Sequence, residues 1–181
     1  MEQPRRIIGI DPGTRSVGYG VVESRGSSLR FLGGGCISAN AEEIASRLVT
    51  IHHELQIVIR EFQPQAAAIE TVFAGNNVKT AIAIGEGRGV AVLSAAELGV
   101  AVFGYEPALV KRTVTGSGRA SKEQVQQMVR ILLNLGEIPA TDHEADALAL
   151  AITHVNRDRF GLSGIKKSPS PRCGKKAPRF R

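Results

Sequence analysis

Asp11 and Glu70 each close a short apolar run, RRIIGID and AAAIE. A carboxylate at the end of a buried strand is costly unless it is solvated, paired or bound to a cation. Pro12 and Gly13 follow the first as turn residues, and an Asp before such a turn can simply bond its neighbouring amides. Farther along, His143 and Asp146 stand three apart in TDHEADALALAITH, so a helix would set them on one face. Asp142 and Asp146 make a second same-face pair at spacing four. Asp142 and Glu144 suit a helix N-terminus through its dipole, whereas Asp146 lies one turn in, between Ala145 and Ala147, beside the apolar side. Gathered in one pocket, such carboxylates and one imidazole form a hard, oxygen-rich set that suits Mg²⁺ or Mn²⁺ better than Zn²⁺. Two such ions about 4 Å apart can activate a water, orient a phosphate and stabilise the leaving oxygen of an in-line displacement. His143 could ligate an ion or move a proton to or from water.

These residues can meet only if the intervening chain folds back on itself. RRIIGID over 5–11, residues 16–23 and LRFLGGGCIS over 29–38 read as strands joined by short turns, an antiparallel meander of three. The period then changes: Ile44, Leu48, Ile51, Leu55 and Ile59 predict an amphipathic helix over 41–62, stopped by Pro64. A strand ending at Glu70 follows, so a right-handed crossover can lay it beside the first strand, parallel to it. Asp11 and Glu70 then share the carboxyl edge, where open α/β sheets bind ligands. Residues 77–98 predict a helix whose GEGRG segment could admit a second helix closely. Strand 100–105, helix 107–113 and a Gly-bearing loop over 115–120 come next. Ser121–Gln124 and Thr141–Glu144 both fit capping boxes, the second opening a helix over about 142–156 with Ala145, Leu148, Ala149 and Ile152 buried.

Of 181 residues, 23 are Lys or Arg and 17 Asp or Glu, for a net charge of +6. Seven of the basic residues and none of the acids follow Gly164, so the preceding chain is nearly neutral. We therefore expect one folded domain over 1–160 and a basic, disordered tail over 161–181 that solubilises the protein or contacts nucleic acid or membrane. Two cysteines, Cys36 and Cys173, fit a reducing cytoplasm, with Cys36 as an ordinary buried thiol, and no membrane segment is expected. Lys111, Arg112, Arg119 and Lys122, interleaved with Gly116 and Gly118, could follow a phosphate backbone. Phe73, three residues after Glu70 in TVFAGNN, could stack on an unpaired base or plug the core.

The segments IIGIDPGTRSVGYGVVE, AAAIETVFAGNNVKTAIAIGEGRGV and DHEADALALAITH resemble, in order and spacing, the RuvC family of Holliday junction resolvases. The likeness covers about residues 6–156. It implies a ribonuclease H-like α/β fold, with a five-stranded mixed sheet of three antiparallel strands and parallel additions flanked by helices. It also implies a homodimer that makes paired symmetric nicks in a four-way DNA junction in homologous recombination and DNA repair. The branch-migration proteins RuvA and RuvB are implied as partners. By the same resemblance Asp11, Glu70 and Asp146 are metal-binding acids for two Mg²⁺, with Mn²⁺ able to substitute. His143 stands where many members have Asp and some have His. Phe73 is similar to the aromatic that inserts at the junction centre, Lys111 and Lys122 to phosphate contacts, and the helix from Asn77 to the dimer helix.

DPGTRSVGYGVV also resembles the phosphate-binding hairpin of the sugar kinase and actin superfamily, whose members usually need two such domains. Another ribonuclease H-like nuclease, acting on RNA or simpler DNA, and a protein that binds junctions without cutting them are the other readings. Three acids facing DNA would weaken binding unless cations neutralised them, which favours metal chemistry.

Overall fold

The computed structural model describes residues 3–71 and 78–161; Phe73, Cys173 and the tail from residue 162 lie outside them. The elements run β1 (Arg5–Asp11), β2 (Ser16–Arg25), β3 (Ser28–Ser38), α1 (Ile44–Phe62), β4 (Ala66–Glu70), α2 (Val78–Glu97), β5 (Ala101–Tyr105), α3 (Pro107–Thr115), α4 (Lys122–Leu132) and α5 (Asp142–Arg159). They form one five-stranded sheet in the order β3-β2-β1-β4-β5. The first three strands are antiparallel, while β4 joins β1 and β5 joins β4 in parallel.

Strand alternation divides the core between the two sheet faces. Ile8, Ile10, Val17, Val21, Ala67 and Ile69 pack with Ile51, Leu55 and Ile59 of α1 and with Ala91 and Ala95 of α2. Ile7, Val22, Ala66 and Ala68 turn the other way and meet Val110 of α3, Val125 and Val129 of α4, and Leu148 and Ile152 of α5. Helices therefore cover both faces, the arrangement that a partly parallel sheet requires.

Several boundaries move for local reasons. Helix α1 starts at Ile44 instead of Ala41 because the guanidinium of Arg47, buried despite its charge, donates to the carbonyls of Ala41, Glu42 and Thr14. Those bonds hold the preceding residues outside the helix and tie them to the turn after β1. Ser121 and Gln124 form the complete capping box. At α5 only half of it exists: Thr141 accepts from the Glu144 N–H, but the Glu144 carboxylate turns back to the N–H of Ala140. Helix α5 continues to Arg159, past the expected end. Cys36 is free and only half-buried, because β3 lies at the sheet edge. Among the described residues no helix is long and apolar enough to cross a membrane.

Candidate active site

Asp11 and Glu70 come from the carboxyl ends of two neighbouring parallel strands. The β1–β4 register runs as far as Ile10↔Ile69, so one further step sets Asp11 beside Glu70 at a strand spacing of about 4.8 Å. Alternation places both on the face covered by α5, with Ile7 and Ala66. That helix can reach the strand ends because β1 and β2 offer glycine under it: a methyl at Gly9 would overlap the carbonyl of Ala147, and one at Gly18 the carbonyl of His143. This close seat brings the first turns of α5, with His143 and Asp146, over the ends of β1 and β4.

The four residues converge. Asp11, Glu70, His143 and Asp146 line one recess of about 300 Å³, together with Lys111, Lys122 and the apolar Pro107, Val110, Val125 and Leu150. His143 Nδ1 donates to Asp11 Oδ2 at 2.7 Å. A carboxylate can only accept, so this bond puts the proton on Nδ1 and leaves Nε2 free to ligate an ion or take a proton. Lys122 Nζ stands 3.6 Å from Asp142 Oδ2 and 3.8 Å from Asp146 Oδ2. Lys111 Nζ donates to the carbonyl of Ala120 at 2.8 Å, under the loop that leads into α4.

The acids strain against one another. Burial, then the charges of Asp11 and Asp146, push the Glu70 carboxyl up to about 7, while Lys122 and Lys111 oppose the rise. Asp146 is also raised, chiefly by burial and then by Asp11, against the pull of Lys122 and His143. Mutual repulsion among carboxylates in a half-closed pocket is what a bound cation relieves. Among the described residues, no group of three His, Cys, Asp or Glu side chains stands ready to chelate an ion in these rotamers. Asp11 is engaged by His143, and Asp146 faces Lys122. The donor set nonetheless fits a hard divalent ion by type and location, with side-chain rotation completing the coordination.

Of the expected basic contacts, Lys111 and Lys122 line the recess, whereas Arg112 and Arg119 are exposed and outside it. Within the Gly-rich segment of α2, one glycine is taken up inside the chain and two are left open. Gly87 lies against the backbone of Gly13 in the same chain, while Gly85 and Gly89 face open space. The spacing signals did not reveal Arg88, whose Nε donates to the Glu70 carbonyl at 3.1 Å, because a lone basic residue in a Gly-rich helix reads as surface. They also missed the pairing of Lys122 with Asp142 and Asp146; the only cue was its place at the start of a capped helix.

Residues 7–154 match the family model described as Crossover junction endodeoxyribonuclease RuvC. The chain is 48% identical over 156 residues to the protein of that name from Ruminiclostridium cellulolyticum, covering 86% of this chain and 94% of the relative. With its namesake from Rhodopseudomonas palustris the identity is 46% over 167 residues, covering 92% and 95%. Among solved structures, Thermus thermophilus RuvC in complex with Holliday junction substrate is similar at a TM-score of 0.82 and 38% identity, covering 87% of this chain and 97% of that one. The yeast mitochondrial resolvase Ydc2, at 11% identity and a TM-score of 0.59, shares the fold; its overlap covers 86% of this chain and 84% of that one.

Proposed function

Since the chain belongs to the RuvC family, whose model spans residues 7–154, we propose that it is a metal-dependent endonuclease that resolves four-way DNA junctions by paired symmetric nicks. The convergence of Asp11, Glu70, His143 and Asp146 in one recess with two lysines is the observation that carries this reading. Asp11, Glu70, Asp146 and the free Nε2 of His143 would hold two Mg²⁺, or Mn²⁺ in their place. Bound there, such ions lower the pKa of a water and neutralise the oxygens of a scissile phosphate. The protein's own part is positional. Asp11 fixes the His143 tautomer, and His143 then acts as ligand or as proton acceptor for the attacking water. Lys122 keeps Asp146 and Glu70 more readily ionised than burial and the neighbouring carboxylates would allow. Lys111 and Lys122 face the recess as contacts for the phosphate backbone, with Arg112 and Arg119 flanking it from outside. Phe73 would stack at the opened junction centre.

A twofold dimer suits a substrate of matching symmetry. The outer side of α2 supports one: Ile82 and Leu93 are exposed, and the open space over Gly85 and Gly89 admits a second backbone. In the cell we place the protein in the cytoplasm, in homologous recombination and repair, receiving junctions from RuvA and RuvB. The nuclease unit is residues 1–160, and the basic stretch after it adds nonspecific affinity.

The test is cleavage of a synthetic four-way junction beside linear duplex, with Mg²⁺, Mn²⁺ or chelator. Symmetric nicks that need a divalent ion and spare the duplex are expected. Asp11→Asn should keep junction binding and lose nicking; nicking at the parent rate would show the site to be misassigned.

A further inference from the structure

Arg88 links α2 to the end of β4 through the bond from its Nε to the Glu70 carbonyl. That carbonyl has a reason to need a donor. Thr71 turns its N–H to the carbonyl of Tyr105 in β5, so alternation turns the backbone of Glu70 towards β1. Extending the register from Ile10↔Ile69 makes residue 12 the next donor of the ladder, and Pro12 has no N–H. Pairing between the two strands therefore stops where their carboxylates begin, and Arg88 supplies the missing donor through a charge-assisted bond. Next to it in α2, Gly87 lies against the turn after Asp11 so closely that any side chain would overlap the Gly13 carbonyl. On the far side, a methyl at Gly104 of β5 would stand 3.6 Å from Arg88 Nη2. Two consecutive residues of α2 thus press on both strand ends that carry the paired acids.

We propose that Arg88 is a positioning residue for the reaction, holding the backbone of Glu70 so that its carboxylate stays in the recess with Asp11 and Asp146. It touches neither substrate nor reacting atoms, and it works through Glu70. The inference rests on reading the recess as a cation site. Lysine would keep the charge but not the planar guanidinium that aims Nε at the carbonyl, so Arg88→Lys restores only part of the function.

The test is calorimetric binding of Mn²⁺ to the full-length, DNA-free protein as parent, R88A, R88K, E70A and the double variant R88A/E70A. Arg88→Ala should weaken Mn²⁺ binding by about 10- to 100-fold, the usual range for a residue that orients a ligand, with R88K in between. In the E70A background the same change should cost nothing further, since no carboxylate is left to position. A general loss of structure would weaken binding equally in both backgrounds and would overturn the inference, as would R88A binding Mn²⁺ like the parent. If E70A itself binds as tightly as the parent, the cation reading fails, and this inference with it.

Discussion

Replacing Glu70 with Gln should stabilise the protein while abolishing cleavage, and the site's electrostatics set the size of the effect. In the metal-free fold the Glu70 carboxyl sits at about 7 against an ordinary 4.5, because burial and the charges of Asp11 and Asp146 disfavour its ionised form. A group raised on folding contributes stability that is present below its unfolded value and is lost as pH rises through its folded one. Stability should therefore decline between about pH 4.5 and 7 and level off above. At about 1.4 kcal/mol per pH unit the rise sets an upper bound of about 3 kcal/mol. The carboxyl faces an open recess, and solvent screening reduces this to about 1–2 kcal/mol. Gln keeps the shape and removes the charge. Denaturant melts of parent and E70Q in chelator, from pH 5 to 8.5, should start nearly coincident at the acid end. They should separate by about 1–2 kcal/mol by pH 8, with E70Q the more stable. Adding Mg²⁺ at pH 8 should raise the parent and leave E70Q behind. A pH-independent difference, or an E70Q protein less stable than the parent at pH 8.5, would refute the assignment of repulsion to this carboxyl.

Three further outcomes follow from the same structure. Lys122→Met removes a charge that holds Glu70 and Asp146 down, so the acid limb of the cleavage profile should move to higher pH; an unmoved limb in single-turnover rates would separate Lys122 from the acids. His154, fully buried on α5, shares a hydrogen bond of 2.7 Å between its Nδ1 and the Tyr105 hydroxyl and has no partner at Nε2, and burial pushes it down to about 4. Its contribution is present above pH 6.5 and is lost as pH falls through about 4. His154→Phe should flatten the acid side of the stability curve by up to about 3 kcal/mol, and melts at pH 4 to 6.5 read this. Removing residues 164–181 takes away seven cations and no acid. The slope of log K against log salt for DNA binding should become shallower, by about 0.9 for each phosphate that the tail neutralises, and an unchanged slope would exclude the tail from the interface.

The elements and their topology were legible because each rests on a local signal. Short apolar runs beside turn residues marked β1 and β4, a four-three repeat marked α1, and Ser121 marked the start of α4. The position of an acid at the end of each of two apolar strands, together with the crossover rule, was enough to bring Asp11 and Glu70 together. Spacing along one helix paired His143 with Asp146. Side-chain partnerships across elements were not legible, since they depend on which surfaces meet and at what distance. Arg47, a charge within the predicted apolar face of α1, is buried only because three carbonyls from a distant turn and the helix approach converge on it. Gly87 looked like a seat for another helix and instead meets the turn after Asp11.

Composition and spacing by themselves determined the chemistry on offer: hard oxygen donors, one imidazole and nearby lysines, on an α/β framework with a basic extension. Tertiary structure alone decided how those groups act on one another. Seating α5 on the glycines of β1 and β2 set the burial and the repulsion that lift Glu70, the bond that orients His143 and the reach of Lys122. Stopping the β1–β4 ladder at a proline left a carbonyl for Arg88 to hold. Electrostatic energy depends on separation and dielectric, and neither exists for these residues until the chain has closed around them.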